Sequence, residues 1–136
     1  MYALVFAVAA AALQIHDMQP EAIDVYLEDL HAQQQDLGAR IVAVAKRSLG
    51  TPYVTGPLGE GPDGEYDQDP LMDLEHVDCV TFIEQTLALA MSTSYKEAFD
   101  RLQTIRYKNG EIGFETRNHF LIGDWIPNNR FCRDVS

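Results

Sequence analysis

The run Asp78-Cys79-Val80-Thr81-Phe82-Ile83-Glu84-Gln85-Thr86-Leu87-Ala88-Leu89-Ala90-Met91 decides how the chain is read. Val80, Ile83, Leu87, Ala90 and Met91 recur at intervals of three and four, the spacing of one helical face. Asp78 is the kind of short polar residue that caps a helix start, so the run predicts a helix with Cys79 in its first turn. Unpaired N–H groups and the helix dipole favour an anion there, which raises the thiolate fraction of a cysteine. A thiolate attacks carbonyl carbon, and the same N–H groups hold the resulting oxyanion. Most free cysteines are instead small buried hydrophobes. Both readings of Cys79 stand on position alone.

Working outward, Pro20 to Leu49 reads as helix in two pieces. Ile23, Tyr26, Leu27 and Leu30 form one stripe, and Ile41, Val42, Ala45 and Leu49 form another, closed by Gly50. Thr55 to Asp73 holds four Gly, three Pro and six acidic residues, the composition of a loop. Its Asp63, Asp67 and Asp69 lack the spacing of an EF-hand, which makes a solvated loop the better reading than a calcium site. Ser94-Tyr95-Lys96-Glu97 matches a capping box ahead of a stripe of Phe99, Leu102 and Ile105. Asn109-Gly110 predicts a turn between short strands at 106–108 and 112–114, and 119–122 is a further strand candidate. Helices followed by turns and strands predict an α+β fold.

A length of 136 residues suits one domain with one core. Ten Lys and Arg against 21 Asp and Glu give a net charge of −11, which repels phosphate backbones and argues against nucleic-acid binding. Two cysteines, Cys79 and Cys132, are too few for a disulfide scaffold, and no Cys/His spacing points to a metal. The apolar run Ala3–Leu13 is too short to span a bilayer of roughly 30 Å, so no stable membrane span is expected. Its length suits a secretory signal, although no basic residue precedes it. Residues 1–19 are therefore read as a signal peptide or a frayed apolar segment, and 20–136 as the folded domain. The matching localisation is periplasmic or cell envelope, or cytoplasmic if the segment is not a signal.

A cysteine hydrolase needs a base. His16 and His31 sit among polar residues, His76 lies three positions from Cys79 at a junction that turns it away, and His119 is remote in sequence within an apolar stretch. Nucleophile and base are commonly remote, but a core histidine bonded to a carbonyl fits His119 as well.

Leu49-Gly50-Thr51-Pro52-Tyr53, Val77-Asp78-Cys79-Val80-Thr81-Phe82-Ile83-Glu84, Ile105-Arg106-Tyr107, Thr116-Arg117-Asn118-His119-Phe120 and Asp124-Trp125-Ile126 stand in an order that resembles one family. This is the N-acetylmuramoyl-L-alanine amidase-like branch of the NlpC/P60 cysteine hydrolases, and the resemblance runs from about Ile41 to Asn129. It implies a papain-like fold, in which a helix bearing the nucleophile packs on an antiparallel sheet presenting the histidine. It makes Cys79 the nucleophile and His119 the base, and places Tyr53 near the thiol to bond substrate or oxyanion. Asp124 is the candidate for orienting the imidazole, with Asp78 and Arg117 on the substrate side. The implied activity is metal- and cofactor-free cleavage of the amide between N-acetylmuramic acid and L-alanine in muropeptides. The alternatives are a stem-peptide endopeptidase of the same fold and a non-catalytic muropeptide-binding remnant. Family members continue well beyond the equivalent of Trp125, so strands at the carboxyl end are expected to be missing. Nothing in the sequence indicates an oligomeric state.

Overall fold

The computed structural model describes residues 13–136, so all of the expected signal segment Ala3–Leu13 except Leu13 lies outside the described residues. Four helices of eleven residues or more carry the structure: α1 (Pro20–Gln33), α2 (Leu37–Arg47), α3 (Cys79–Ala90) and α4 (Tyr95–Arg106). Each start has a local cause. Pro20 opens α1, where its missing N–H costs nothing. Asp36, Asp78 and Ser94 cap the others by accepting from Ala39, Thr81 and Glu97 N–H respectively. Gly50 (φ +85°) turns the chain away after α2.

Helix α3 is central and packs on both α2 and α4, while α1 packs on α4. Leu89 and Ala90 join Ile23, Leu27, Leu30 and Val44 in one core cluster, which Ile15 and Met18 extend ahead of α1. Ala88 joins Leu58, Leu102, Ile105 and Trp125 in a second. The small side chains of Ala88, Ala90 and Ala98 permit close helix approach. No helix among the described residues is long and apolar enough to cross a membrane.

The buried face of α3 differs from the predicted one. Val80 and Ile83 are 49% and 52% exposed, whereas Thr81, Glu84, Gln85 and Ala88 are buried. That set also obeys helical spacing, and its polar members are buried because loops bring them partners. Gln85 Oε1 accepts from Asp73 N–H, for example, at 3.1 Å. In α2 the buried residue is Val44, while Val42 in the helix and Leu49 in the turn beyond it face solvent.

The expected papain-like α+β fold with an antiparallel sheet is corrected by the structure. Among the described residues no strand or sheet forms, and β pairing is confined to isolated bridges, Tyr53 with Val77 and Tyr107 with Arg117. Asn109 and Gly110 do turn with positive φ (56° and 72°), but 108–110 winds into a 3₁₀ turn rather than a hairpin tip. Residues 119–122 do not extend as a strand either. Leu121–Trp125 forms a wide helical turn in which Trp125 N–H donates to Phe120 C=O at 2.9 Å. Burial of the Trp125 indole fixes that turn, 7% of the residue remaining exposed.

The acidic segment 55–73 is a loop, as its composition predicts, but a tightly bonded one. Glu60 N–H donates to Asp67 C=O, and Gly61 N–H to Asp69 C=O. A Cβ on Gly59 or Gly64 would overlap Asp67, which explains glycine at both.

Candidate functional site

Asp78 organises the start of α3. Its Oδ1 accepts from Val80 N–H (3.1 Å), Thr81 N–H (2.8 Å) and the Thr81 hydroxyl (2.9 Å), while Thr81 Oγ1 accepts from Asp78 N–H (2.8 Å). Oδ2 reaches across to Gly56 N–H at 3.0 Å and ties the 55–73 loop to the helix. Burial raises the Asp78 carboxyl, but the donors from Thr81, Gly56 and Val80 outweigh it and hold the group below its ordinary range. A depressed folded value gives stability that is present above the unfolded value near 4 and is lost as pH falls through the depressed one. Asp78→Asn is therefore expected to lower stability at pH 7 by about 1 kcal/mol and to flatten the acid limb. Urea midpoints from pH 7 to pH 3 in parent and variant measure it, and parallel curves would refute the assignment.

Cys79 follows as the first residue of α3, free and exposed. Its neighbours Asp78 and Val80 line a cleft of about 190 Å³, together with Thr81, Glu84, Arg106, Arg117 and His119, whereas Cys79 itself is not in the walls. The backbone of Tyr53 pairs with Val77, directly before Asp78, and the Tyr53 residue is 68% exposed. The structure thus gathers Asp78, Arg117 and His119 around one cleft. Cys79 and Tyr53 stand on the segments that lead into it.

His119 is exposed, and its Nε2 lies 2.7 Å from Phe114 C=O. A carbonyl only accepts, so Nε2 carries the proton. The ring also packs on Phe114, centroids 4.7 Å apart. Among the described residues no hydrogen bond joins Asp124 to the imidazole. Asp124 Oδ2 accepts from Phe120 N–H at 3.1 Å and caps its own turn. Arg117 donates Nε to Glu60 Oε1 (2.6 Å) and Nη2 to Asp67 Oδ2 (2.9 Å). Cys132 is half-buried at the edge of the second core cluster, and burial pushes its thiol up despite the flanking arginines.

Sequence reasoning overlooked the Glu84–Arg106 pair, which joins α3 to α4 with both side chains about 5% exposed or less. Arg106 Nη1 lies 3.2 Å from Glu84 Oε2, Trp125 Nε1–H donates to Oε1 at 2.9 Å, and Arg106 Nη2 donates to Leu58 C=O. Arg106 shares a helical face with Leu102 and Ile105, and that was the available signal. Asp73, Glu75 and His76 also approach one another with ligand atoms within 4.8 Å. Asp73 is already occupied there by His76 Nδ1 (2.9 Å) and by the N–H groups of Glu75 and His76.

A family model described as N-acetylmuramoyl-L-alanine amidase-like (AmiA-like) matches residues 43–136. The chain belongs to that family. Among solved structures, a Legionella pneumophila protein of the DUF1460 family model aligns at 32% identity and TM-score 0.70, over 83% of this chain. An N-acetylmuramoyl-L-alanine amidase from Bacteroides uniformis aligns at 30% identity and TM-score 0.59, over 70%. A Bacteroides fragilis protein provisionally named a xylanase aligns at 36% identity and TM-score 0.51, over 65%. This chain spans 40% of the length of each of these relatives. No curated protein matches it.

Within the amidase-like family, the expected NlpC/P60 papain-like placement and its Cys-His amidase mechanism are corrected by the same observations. Among the described residues no sheet presents His119, and no hydrogen bond joins the Cys79 thiol to the imidazole, whose Nε2 is taken by Phe114. The endopeptidase alternative assumed the same fold and falls with it.

Proposed function

We propose that this chain is a recognition module for peptidoglycan fragments (muropeptides) in the cell envelope, and that it binds them without cleaving an amide. The observation that carries this reading is the cleft beside α3, whose walls bring Arg117 and His119 together next to Asp78 and Gly56. Arg117 uses Nε and Nη2 on Glu60 and Asp67, which leaves Nη1 for a ligand carboxylate. With Nε2 of His119 committed to Phe114, Nδ1 accepts from a ligand N–H or O–H. The Tyr53 ring offers an apolar face and a hydroxyl, suited to a sugar or the start of a stem peptide. Asp78 acts indirectly by fixing Gly56 and the helix start, and Asp124 fixes the turn that follows His119. Membership of an amidase-like family supports the ligand class.

Titration calorimetry with a purified muramyl tripeptide tests the proposal, followed by mass analysis of the recovered ligand. Saturable binding with an intact ligand is expected in the parent and in Cys79→Ala alike. Tyr53→Ala is expected to weaken binding about fivefold, on the order of 1 kcal/mol. Cleavage that disappears in Cys79→Ala, or no binding in the parent, would overturn the reading.

A further inference from the structure

The turn that follows His119 holds large apolar side chains out in solvent. Phe120, Leu121 and Ile122 are 71%, 62% and 76% exposed, and Phe131 beside them is 50% exposed. Their backbone is anchored from below. Trp125 is buried, its indole donates to Glu84, and its ring meets Phe131 edge to face with centroids 6.4 Å apart. Buried Asn129 donates Nδ2 to the carbonyls of Ile105 and Trp125, and Asp124 closes the turn on Phe120 N–H. Three neighbouring apolar side chains kept in water on a fixed mount forgo the gain from burial, and such a patch marks a surface that something else covers.

Shape narrows what covers it. Leu121 and Ile122 point roughly 100° apart on their helical turn, with Phe120 at its extended entry, so the three make a knob and not a flat face. A fluid apolar layer takes up all three side chains, whereas a folded protein surface would need a matching pit. Charge narrows it further. Arg130 and Arg133 flank Phe131, both exposed, and neither is ion-paired among the described residues. Beyond residue 117 only Asp124 and Asp134 are acidic, and both carboxylates accept from nearby N–H groups, of Phe120 and Ser136 respectively. The net charge of −11 therefore belongs to the chain before that point. Apolar side chains beside free arginines match the interface of an anionic bilayer, where hydrocarbon enters the acyl boundary and guanidinium groups meet phosphates.

We infer that this knob seats the protein on an anionic phospholipid surface, so that it lies on the membrane without spanning it.

The test sediments the full chain with vesicles of phosphatidylethanolamine and phosphatidylglycerol, or of phosphatidylcholine alone. Binding to the anionic vesicles is expected, and binding about tenfold weaker to phosphatidylcholine. Phe120→Ser/Ile122→Ser is expected to weaken both by about tenfold or more at an unchanged urea midpoint, because both side chains meet solvent. Leu121→Glu repeats the test with a single change and is expected to act alike. Arg130→Gln/Arg133→Gln is expected to bring anionic binding down to about the phosphatidylcholine level. Absence of binding to the anionic vesicles would overturn the inference. Binding that survives the changes at Phe120, Leu121 and Ile122 would also overturn it, by placing the contact elsewhere, such as the apolar run Ala3–Leu13. A dimer in sedimentation velocity that dissociates in the same variants would assign the knob to a second copy of the chain, with the same consequence.

Discussion

Arg106→Ala is expected to destabilise the chain by about 3–5 kcal/mol at pH 7, a large share of what a domain this size possesses. The loss is not the strength of one ion pair. It is the penalty for a Glu84 carboxylate left about 4% exposed, with only the Trp125 indole N–H as donor. Burial already raises the Glu84 carboxyl above its ordinary value, although Arg106 and Trp125 pull it down. A raised folded value means that this group's stabilising contribution is complete below the unfolded value near 4.3 and is lost as pH rises through the folded one. Removing Arg106 deletes the principal opposing charge, so the destabilisation should be greatest at neutral pH and shrink as pH falls. Glu84→Met/Arg106→Met removes both charges at roughly conserved volume and is expected to sit within about 1–2 kcal/mol of the parent. Urea unfolding of both variants at pH 7 and pH 5 checks the prediction. A single variant within 1 kcal/mol of the parent at pH 7, an order-of-magnitude bound for a surface pair, would show that the pair is solvated.

That pair also explains which parts of the molecule the sequence made readable. Helices α1 to α4 follow from local signals, namely apolar residues at helical spacing, the Asp78 and Ser94 caps and the Gly50 terminator. The capping box at Ser94 is only half formed. Ser94 accepts from Glu97 N–H, but the Glu97 carboxylate turns to Thr93 instead of Ser94 N–H. The buried face of α3 was misread because Val80 and Ile83 are apolar and Thr81, Glu84 and Gln85 are not. Their burial is stabilised by partners 3 to 41 residues away, and periodicity carries no information about such partners. The strand candidates failed for a related reason. Three-residue runs around Asn109-Gly110 complete a single bridge, and the pull of buried Trp125 winds the next segment into a helical turn. Around the cleft, the Asp78-Cys79 arrangement was legible because a cap is local. The hold of Glu60 and Asp67 on Arg117 spans 57 and 50 residues and was not.

Arg117→Gln is the variant that exposes this long-range tie, with an expected loss of about 2–4 kcal/mol, less than a fully buried pair because one face of Arg117 meets solvent. Burial lowers the Arg117 guanidinium, but Asp67 and Glu60 outweigh it and raise the group, so it is charged at every working pH. At Asp67 burial raises the carboxyl, and the hydrogen bonds from Arg117 and Asp69 outweigh that and leave it depressed. Its contribution to stability is accordingly present above the unfolded value near 3.9 and is lost as pH falls through the depressed value. The Gln variant should show less of that acid loss. It should also release the loop, because the Glu60 N–H to Asp67 C=O bond closes the ring of contacts that Arg117 clamps from outside. Hydrogen exchange at Glu60 and Gly61 is expected to accelerate markedly, while amides in α1 remain protected. Arg117→Lys keeps the charge but not the fork, and a point charge cannot serve Glu60 and Asp67 in the same geometry, so it should recover only part of the protection. Unchanged exchange at Glu60 in the Gln variant would mean that the loop's own backbone bonds hold it, and that Arg117 is held by the loop rather than holding it.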